Sequence, residues 1–144
     1  MRKNTGSNLE ENLLDQLRLA RLPEPEREFL FCKTLWRRFK FDFCWPSLKV
    51  AAECEGGSWV TGAHVRGKPF ESDAVKYSLA ALLGYTVLRF SNHMVSDGRA
   101  ITLIGCALGL YDSDALMRVA EWRCLKCLTK EERLKLAIKE SKRV

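Results

Sequence analysis

Apolar positions recur along the chain at two spacings, and each change of spacing marks a new element. Leu9, Leu13, Leu17 and Ala20 fall three or four residues apart, the period of a helix with one apolar face. Ser7-Asn8-Leu9-Glu10 has the S-x-x-E form of a capping box. Pro23 and Pro25 follow, so the spacing predicts a helix to about Arg21. At about 100° per residue, Glu10 lies roughly 60° round from Leu13 and borders the apolar face, whereas Glu11 points nearly away from it. The period then drops to two. Arg38 to Cys44 alternates, with Phe39, Phe41 and Phe43 on one side and Arg38, Lys40, Asp42 and Cys44 on the other; that is a strand with one packed face. Pro46-Ser47 reads as a turn. Leu48 to Glu55 reads as a second strand, with Val50, Ala52 and Cys54 on one face and Ala51, Glu53 and Glu55 on the other. Gly56-Gly57 ends it.

Beyond a loop over 57–72 that carries His64, Arg66 and Lys68, Ser72 is placed to cap a helix over 73–83. Val75, Leu79, Leu82 and Leu83 form its expected core stripe, and Gly84 its stop. Tyr85 to Phe90 is rich in strand formers, 97–110 reads as a second apolar helix, and Thr129-Lys130-Glu131-Glu132 opens another to about Ser141. The order is helix, hairpin, helix, strand, helix. It predicts an α/β core, a mixed β-sheet flanked by helices, with a right-handed crossover if the strands around 55 and 85 are parallel. The 144 residues divide into a domain over 1–111 and a basic helical C-terminal extension over 112–144.

Charge changes the picture at two places. The net charge is +6, and the last 30 residues hold nine Lys/Arg against four Asp/Glu. A solvated helix face explains that tail as well as a polyanion partner does. No apolar run approaches the roughly 20 residues of a membrane span, and MRKNTGSNLEEN lacks the apolar stretch of a secretory signal. The expectation is a cytoplasmic protein, bound to no membrane, whose six cysteines are thiols. Cys124-x-x-Cys127 has no second pair or histidine to complete a zinc site; Cys32 and Cys44 read as small core residues.

The second place is the hairpin, where Asp42, Glu53 and Glu55 sit among apolar residues. A tight turn at Pro46-Ser47 would set Asp42 opposite Ala51, with Glu53 its diagonal neighbour on the same face at a Cα separation of roughly 7–8 Å. A slip of one residue would send the acids to opposite faces. Two carboxylates so placed can share one cation. Mg²⁺ takes octahedral oxygen ligands, lowers the pKa of a bound water and offsets phosphoryl charge. His64, Arg66 and Lys68 add positive charge where a phosphodiester would need it. Lys40 and Lys49 offer the alternative, a salt-bridged face, and spacing alone leaves both open. Arg89 either reaches a phosphate or pairs with an acid. Trp59 either stacks on a base or anchors its loop, and His93 reads as a surface residue opening a short loop.

Four segments, in order, carry a family resemblance: RFKFDFCWP, LKVAAECEGGSW, GAHVRG and ESDAVKYSLAALLGYTVLRF. Across residues 8–95 the chain resembles the PD-(D/E)XK nuclease superfamily. It is most similar to the group related to the very short patch repair endonuclease and to a widespread small domain of unknown function with an endonuclease-like fold. The run L-G-Y-x-V-L-R-F after a helix is a fairly specific signature. The resemblance implies a restriction-endonuclease-like core and a metal-dependent endodeoxyribonuclease. It implies Mg²⁺, or Mn²⁺, held by Asp42 and Glu53, with the backbone carbonyl of Cys54 a further ligand and Glu10 completing the site. Glu55 stands where the superfamily motif ends in lysine. Lys76, one turn after Asp73, is the candidate to supply that lysine from the helix, and His64 the candidate to assist hydrolysis. Asp73 resembles a helix acid of the repair endonuclease in position. Arg66, Lys68 and Arg89 are the implied contacts to DNA phosphate. The zinc-ligand pattern of the repair endonuclease is missing, a departure that touches mismatch recognition and not hydrolysis; a branched-DNA resolvase and a mismatch-type nickase both stay open. Glu55 in place of lysine also admits a non-catalytic DNA-binding module that retains the fold. A third class is a protein-interaction domain working through 112–144. The setting implied is bacterial or phage DNA repair or recombination, and a homodimer is the assembly that branch cutting would call for.

Overall fold

The leucines of the N-terminal segment close helix α1 (Asn8–Leu19) over a β-sheet, burying Leu13, Leu14 and Leu17. The computed structural model describes residues 8–55 and 68–120, with Lys68 and Pro69 as backbone alone. The expected Ser7 cap, Trp59, His64, Arg66, the Cys124/Cys127 pair and the 129–141 helix lie outside the described residues. The chain continues through β1 (Glu26–Leu30), β2 (Lys40–Trp45), β3 (Val50–Glu55), α2 (Lys68–Leu82), β4 (Thr86–Ser91), α3 (Asn92–Ser96), α4 (Arg99–Ala107) and α5 (Ser113–Ala120). The sheet order is β1-β2-β3-β4. The first two pairings are antiparallel and β3–β4 is parallel, with α2 as the crossover. The architecture is therefore α/β, a mixed four-stranded sheet flanked by helices. Strand β1 is absent from the period-two reading. EREFL is too short and too polar to show alternation, and its pairing with β2 makes it a strand.

One face of the sheet packs Phe43, Trp45, Val50, Ala52 and Phe90 against Leu13 and Leu17 of α1, Val95 of α3 and Ile104 of α4. The other packs Phe41, Cys44 and Ala51 with Phe31 and Cys32 against Ala80 of α2. Phe31 and Phe41 stack at 4.0 Å between ring centroids, and Tyr85 meets both.

Three local expectations need correction. First, Pro46–Leu48 forms a 3-10 turn followed by Lys49 at φ 54°, a longer connection than a tight hairpin. Cys44, not Asp42, lies opposite Ala51, beside the pair Phe43↔Ala52. Carried one step further, that register sets Asp42 level with Glu53. The shift is two residues, so parity is kept. Second, Phe39, Phe41 and Phe43 do not share a side: Phe39 and Phe41 pack in the α2 layer and Phe43 in the α1 layer. The cause lies across the ladder. Glu28 takes φ 51°, and the 28/42 position is missing between Arg27↔Phe43 and Phe29↔Phe41. Both strands change face there with no change of register.

Third, α2 begins before Ser72, which sits in its second turn rather than at a cap. Leu79, Ala80 and Leu83 pack inward, while Val75 is 40% and Leu82 84% exposed. The helix is turned so that Lys76 and Tyr77 reach Glu53 on the sheet. Downstream, Gly84 closes α2 at φ 83° as expected. His93 lies in α3 instead of a loop, and the expected 97–110 helix is shortened to α4. Helix α5 packs on α4, and the Tyr111 ring lies so close to Gly105 that a Cβ there would come within 2.3 Å of it.

Candidate active site

The interruption at position 28/42 is where the acids gather. The backbone N–H of Cys54 donates to Asp42 Oδ2 at 2.8 Å. Burial raises the Asp42 pKa from its ordinary 3.8 to about 6; the N–H bond and the Lys76 charge oppose this, and the charges of Glu53 and Glu10 add to it. Burial, then the Asp42 charge, pushes the Cys54 thiol up to about 12.

One carboxylate oxygen from each of Glu10, Glu28 and Asp42 lies within 4.8 Å of the other two. Around an octahedral Mg²⁺ with bonds of about 2.1 Å, ligand oxygens are at most about 4.2 Å apart. At least two of the three pairs would be cis, about 3.0 Å apart, so the oxygens have to draw together to share one ion; three hard oxygens suit Mg²⁺ or Mn²⁺. The acids also have cations: Arg27 reaches Glu10 at 3.2 Å and Glu11 at 2.6 Å, and Lys40 reaches Glu28 at 3.2 Å.

Glu53 is buried, 8% exposed. Its two oxygens are divided between the Lys76 ammonium at 2.5 Å and the Tyr77 hydroxyl at 2.8 Å. A carboxylate this far from water needs such partners. Burial, and then the hydrogen bond to Glu53, drives the Tyr77 phenol well above its usual range. Arg89, level with Glu53 on β4, pairs with Glu55 and lies over the Tyr77 ring at 4.4 Å.

Asp42 and Glu10 thus belong to the three-acid group, Glu53 joins Lys76, and Glu55 joins Arg89. Glu53 is not one of the three acids that converge. Cys54 meets Asp42 through its N–H. Of the cations expected to neutralise the hairpin acids, Lys40 pairs with Glu28, and Lys49 lies over the Tyr85 ring at 4.4 Å. Lys68 opens α2, and His64 and Arg66 lie outside the described residues. Three participants escape sequence reasoning. Arg27 and Glu28 lie on the strand without periodicity. Tyr77 is next to Lys76, and adjacent helix residues do not ordinarily face one target. A cavity of about 610 Å³ lies elsewhere, lined by Asp97, Arg99, Thr102, Tyr111 and Arg118 among others, and none of these acids borders it.

Among the described residues no helix is long and apolar enough to cross a membrane. No protein-family model matches the chain, and no curated protein matches it. The structure is similar to the solved catalytic domain of the homing endonuclease I-Bth0305I. The TM-score is 0.52 at 16% identity, over 74% of this chain and 100% of that one. The chain path of this protein is thus that of a mixed α/β fold also found in a homing-endonuclease catalytic domain.

Proposed function

We propose that the protein is a metal-dependent endodeoxyribonuclease of the PD-(D/E)XK type. The observation that carries this reading is the convergence of Glu10, Glu28 and Asp42 at the strand irregularity, beside the Glu53–Lys76 pair. The likeness of fold to a homing-endonuclease catalytic domain supports it. Asp42, Glu10 and Glu28 would hold Mg²⁺ or Mn²⁺, with Glu53 next to them. When bound, the ion supplies charge neutralisation at the scissile phosphate and a water acidic enough to attack it.

The chain's own residues do the rest. The Cys54 N–H holds Asp42 Oδ2 and so positions the carboxylate. Tyr77 fixes one Glu53 oxygen, so the other keeps Lys76 on station. The Lys76 ammonium orients the attacking water or stabilises charge on the pentacovalent phosphate, the part that the motif lysine would play. Glu55, in that lysine's place, is occupied by Arg89. His64 assists proton transfer, and Arg66 and Lys68 hold backbone phosphate, while Arg89 is engaged by Glu55. DNA is the substrate.

The test is plasmid cleavage with Mg²⁺, with EDTA, and with Asp42→Ala and Lys76→Ala. The reading expects EDTA to stop cleavage and each variant to lose at least about 100-fold. Metal-dependent cutting that survives Asp42→Ala sinks the assignment. A second reading, a DNA-binding module without catalysis, draws on the ion pairs that Glu10, Glu28, Glu53 and Glu55 all make within the chain. Titration calorimetry with Mn²⁺ separates the two: binding that Asp42→Ala abolishes favours the enzyme, and no heat favours the module.

A further inference from the structure

The tip joining β1 to β2 lies beyond the last ladder pair, Leu30↔Lys40, and has no part in the chemistry above. Its backbone is braced. The carbonyl of fully buried Cys32 accepts the N–H groups of Leu35 at 3.1 Å and Arg37 at 3.4 Å, and the carbonyl of Lys33 accepts that of Trp36 at 3.2 Å. The turn ends with Trp36 in the left-handed region at φ 57°, and the indole stands out from the surface, 95% exposed. Burying an aromatic ring is favourable, so a fixed turn that displays one withholds it from the core. Every charged residue from 33 to 40 is basic: Lys33, Arg37, Arg38 and Lys40, all exposed. Lys40 pairs with Glu28; among the described residues Lys33, Arg37 and Arg38 have no carboxylate within ion-pair distance. Arg37 lies over the Phe39 ring at 4.6 Å, which fixes its guanidinium beside the turn.

A displayed aromatic ring among cations is the chemistry that holds nucleic acid: charges on phosphates, ring on base. An acidic protein surface that buried the indole would use the same groups, and would leave the DNA affinity of the tip variants unchanged. We propose that this tip grips the DNA substrate beside the cleavage site, Trp36 stacking on an unstacked base while Lys33, Arg37 and Arg38 hold the flanking phosphates. The location relative to cleavage rests on the nuclease reading; the binding chemistry does not. Trp36 is six residues from Asp42 in sequence, so at about 3.3 Å per residue it lies within about 20 Å, or about six nucleotide steps of 3.4 Å.

The test uses the full chain in EDTA, where nothing is cut. Fluorescence anisotropy follows binding to labelled single-stranded DNA, a duplex with a central unpaired bulge, and an intact duplex, between about 50 and 200 mM salt. Trp36→Ala is expected to weaken binding to the single strand and the bulged duplex by about 5- to 100-fold, and Trp36→Phe to recover most of that. The Arg37→Ala/Arg38→Ala double variant is expected to lower the salt slope by about 1–2. All three positions are exposed, so an unchanged melting temperature accompanies these losses. Wild-type affinity of Trp36→Ala for all three DNAs overturns the stacking role, and an unchanged slope in the double variant overturns the phosphate contacts. A wild type that binds through the tip yet never cuts with Mg²⁺ breaks the nuclease reading and leaves this one standing. A wild type that cuts while its tip variants bind normally overturns this one alone.

Discussion

The two faces of the sheet are built on different terms. Toward α1, α3 and α4 the buried wall is apolar, from Leu13 and Leu17 across Phe43 and Phe90 to Ile104, and charge enters at its edge, where Arg27 meets Glu10 and Glu11. Toward α2, an apolar patch around Phe41 and Ala80 gives way to a row of charge: Glu53 with Lys76 and Tyr77, then Glu55 with Arg89. Helix α2 leaves Val75 and Leu82 in solvent to make those polar contacts. One face supplies cohesion, and the other gives up some of it to hold ionised groups where water is scarce. The protein should therefore answer mutation differently on its two sides.

The sharpest contrast comes from truncating the apolar wall. Leu17→Ala leaves a cavity at a site with no exposure and should cost about 3–5 kcal/mol in urea unfolding. Cleavage per folded molecule should stay unchanged. A loss under about 1 kcal/mol would mean that this wall is not the stabilising one. On the other face, Glu53→Ala strands the Lys76 ammonium and should cost about 2–4 kcal/mol; adding Lys76→Met should recover much of it. A double variant no more stable than the single would show that charge pairing is not what links α2 to the sheet.

Asp42 gives the next effect, and its sign is opposite. Its folded pKa of about 6 exceeds the ordinary 3.8, so between those values the folded state holds a proton that the unfolded chain lacks. Stability from this group is present in full below pH 4, falls as pH rises toward 6, and is lost above. Asp42→Asn keeps an acceptor for the Cys54 N–H and should be about 2–3 kcal/mol more stable than wild type at pH 8, with the gap closing toward pH 4. Excess Mg²⁺ should narrow the gap at pH 8 by stabilising wild type alone. Melting curves across pH decide it; a gap that widens in acid contradicts the assigned direction. The smallest effect is Leu82→Lys, within about 0.5 kcal/mol, since this leucine is 84% exposed on a helix that tolerates lysine. A larger loss would mean that the outer face of α2 is covered in solution.

Periodicity reads those parts of the fold where burial follows the repeat. The leucines of α1 obey it; the strand expected at 85–90 comes from its strand formers and is found at Thr86–Ser91, and the stop at Gly84 comes from its glycine. Periodicity fails where ionised groups dictate orientation. The stripe of α2 is misread because Lys76 and Tyr77, not Val75 and Leu82, face the sheet. The aromatic face of β2 is misread because alternation assumes an unbroken ladder, and Glu28 breaks it. Of the candidate site, Asp42 and Glu10 were legible from register parity and helical angle, and Lys76 from the family resemblance. Glu28 was not, because its role depends on a strand that exists only through its partner. The error over Phe39 and Phe41 thus has one cause, the left-handed backbone at a single glutamate.

That backbone has a consequence for anyone who selects or engineers this protein. A non-glycine residue at φ 51° carries roughly 1 kcal/mol that glycine or asparagine would not. A screen that rewards heat resistance alone should drift toward those residues at position 28 and, in doing so, discard a carboxylate from the acid cluster. A screen that rewards DNA cleavage should keep the glutamate and tolerate the strain. The residue recovered at that one position would tell the experimenter which of the two properties the selection had been measuring.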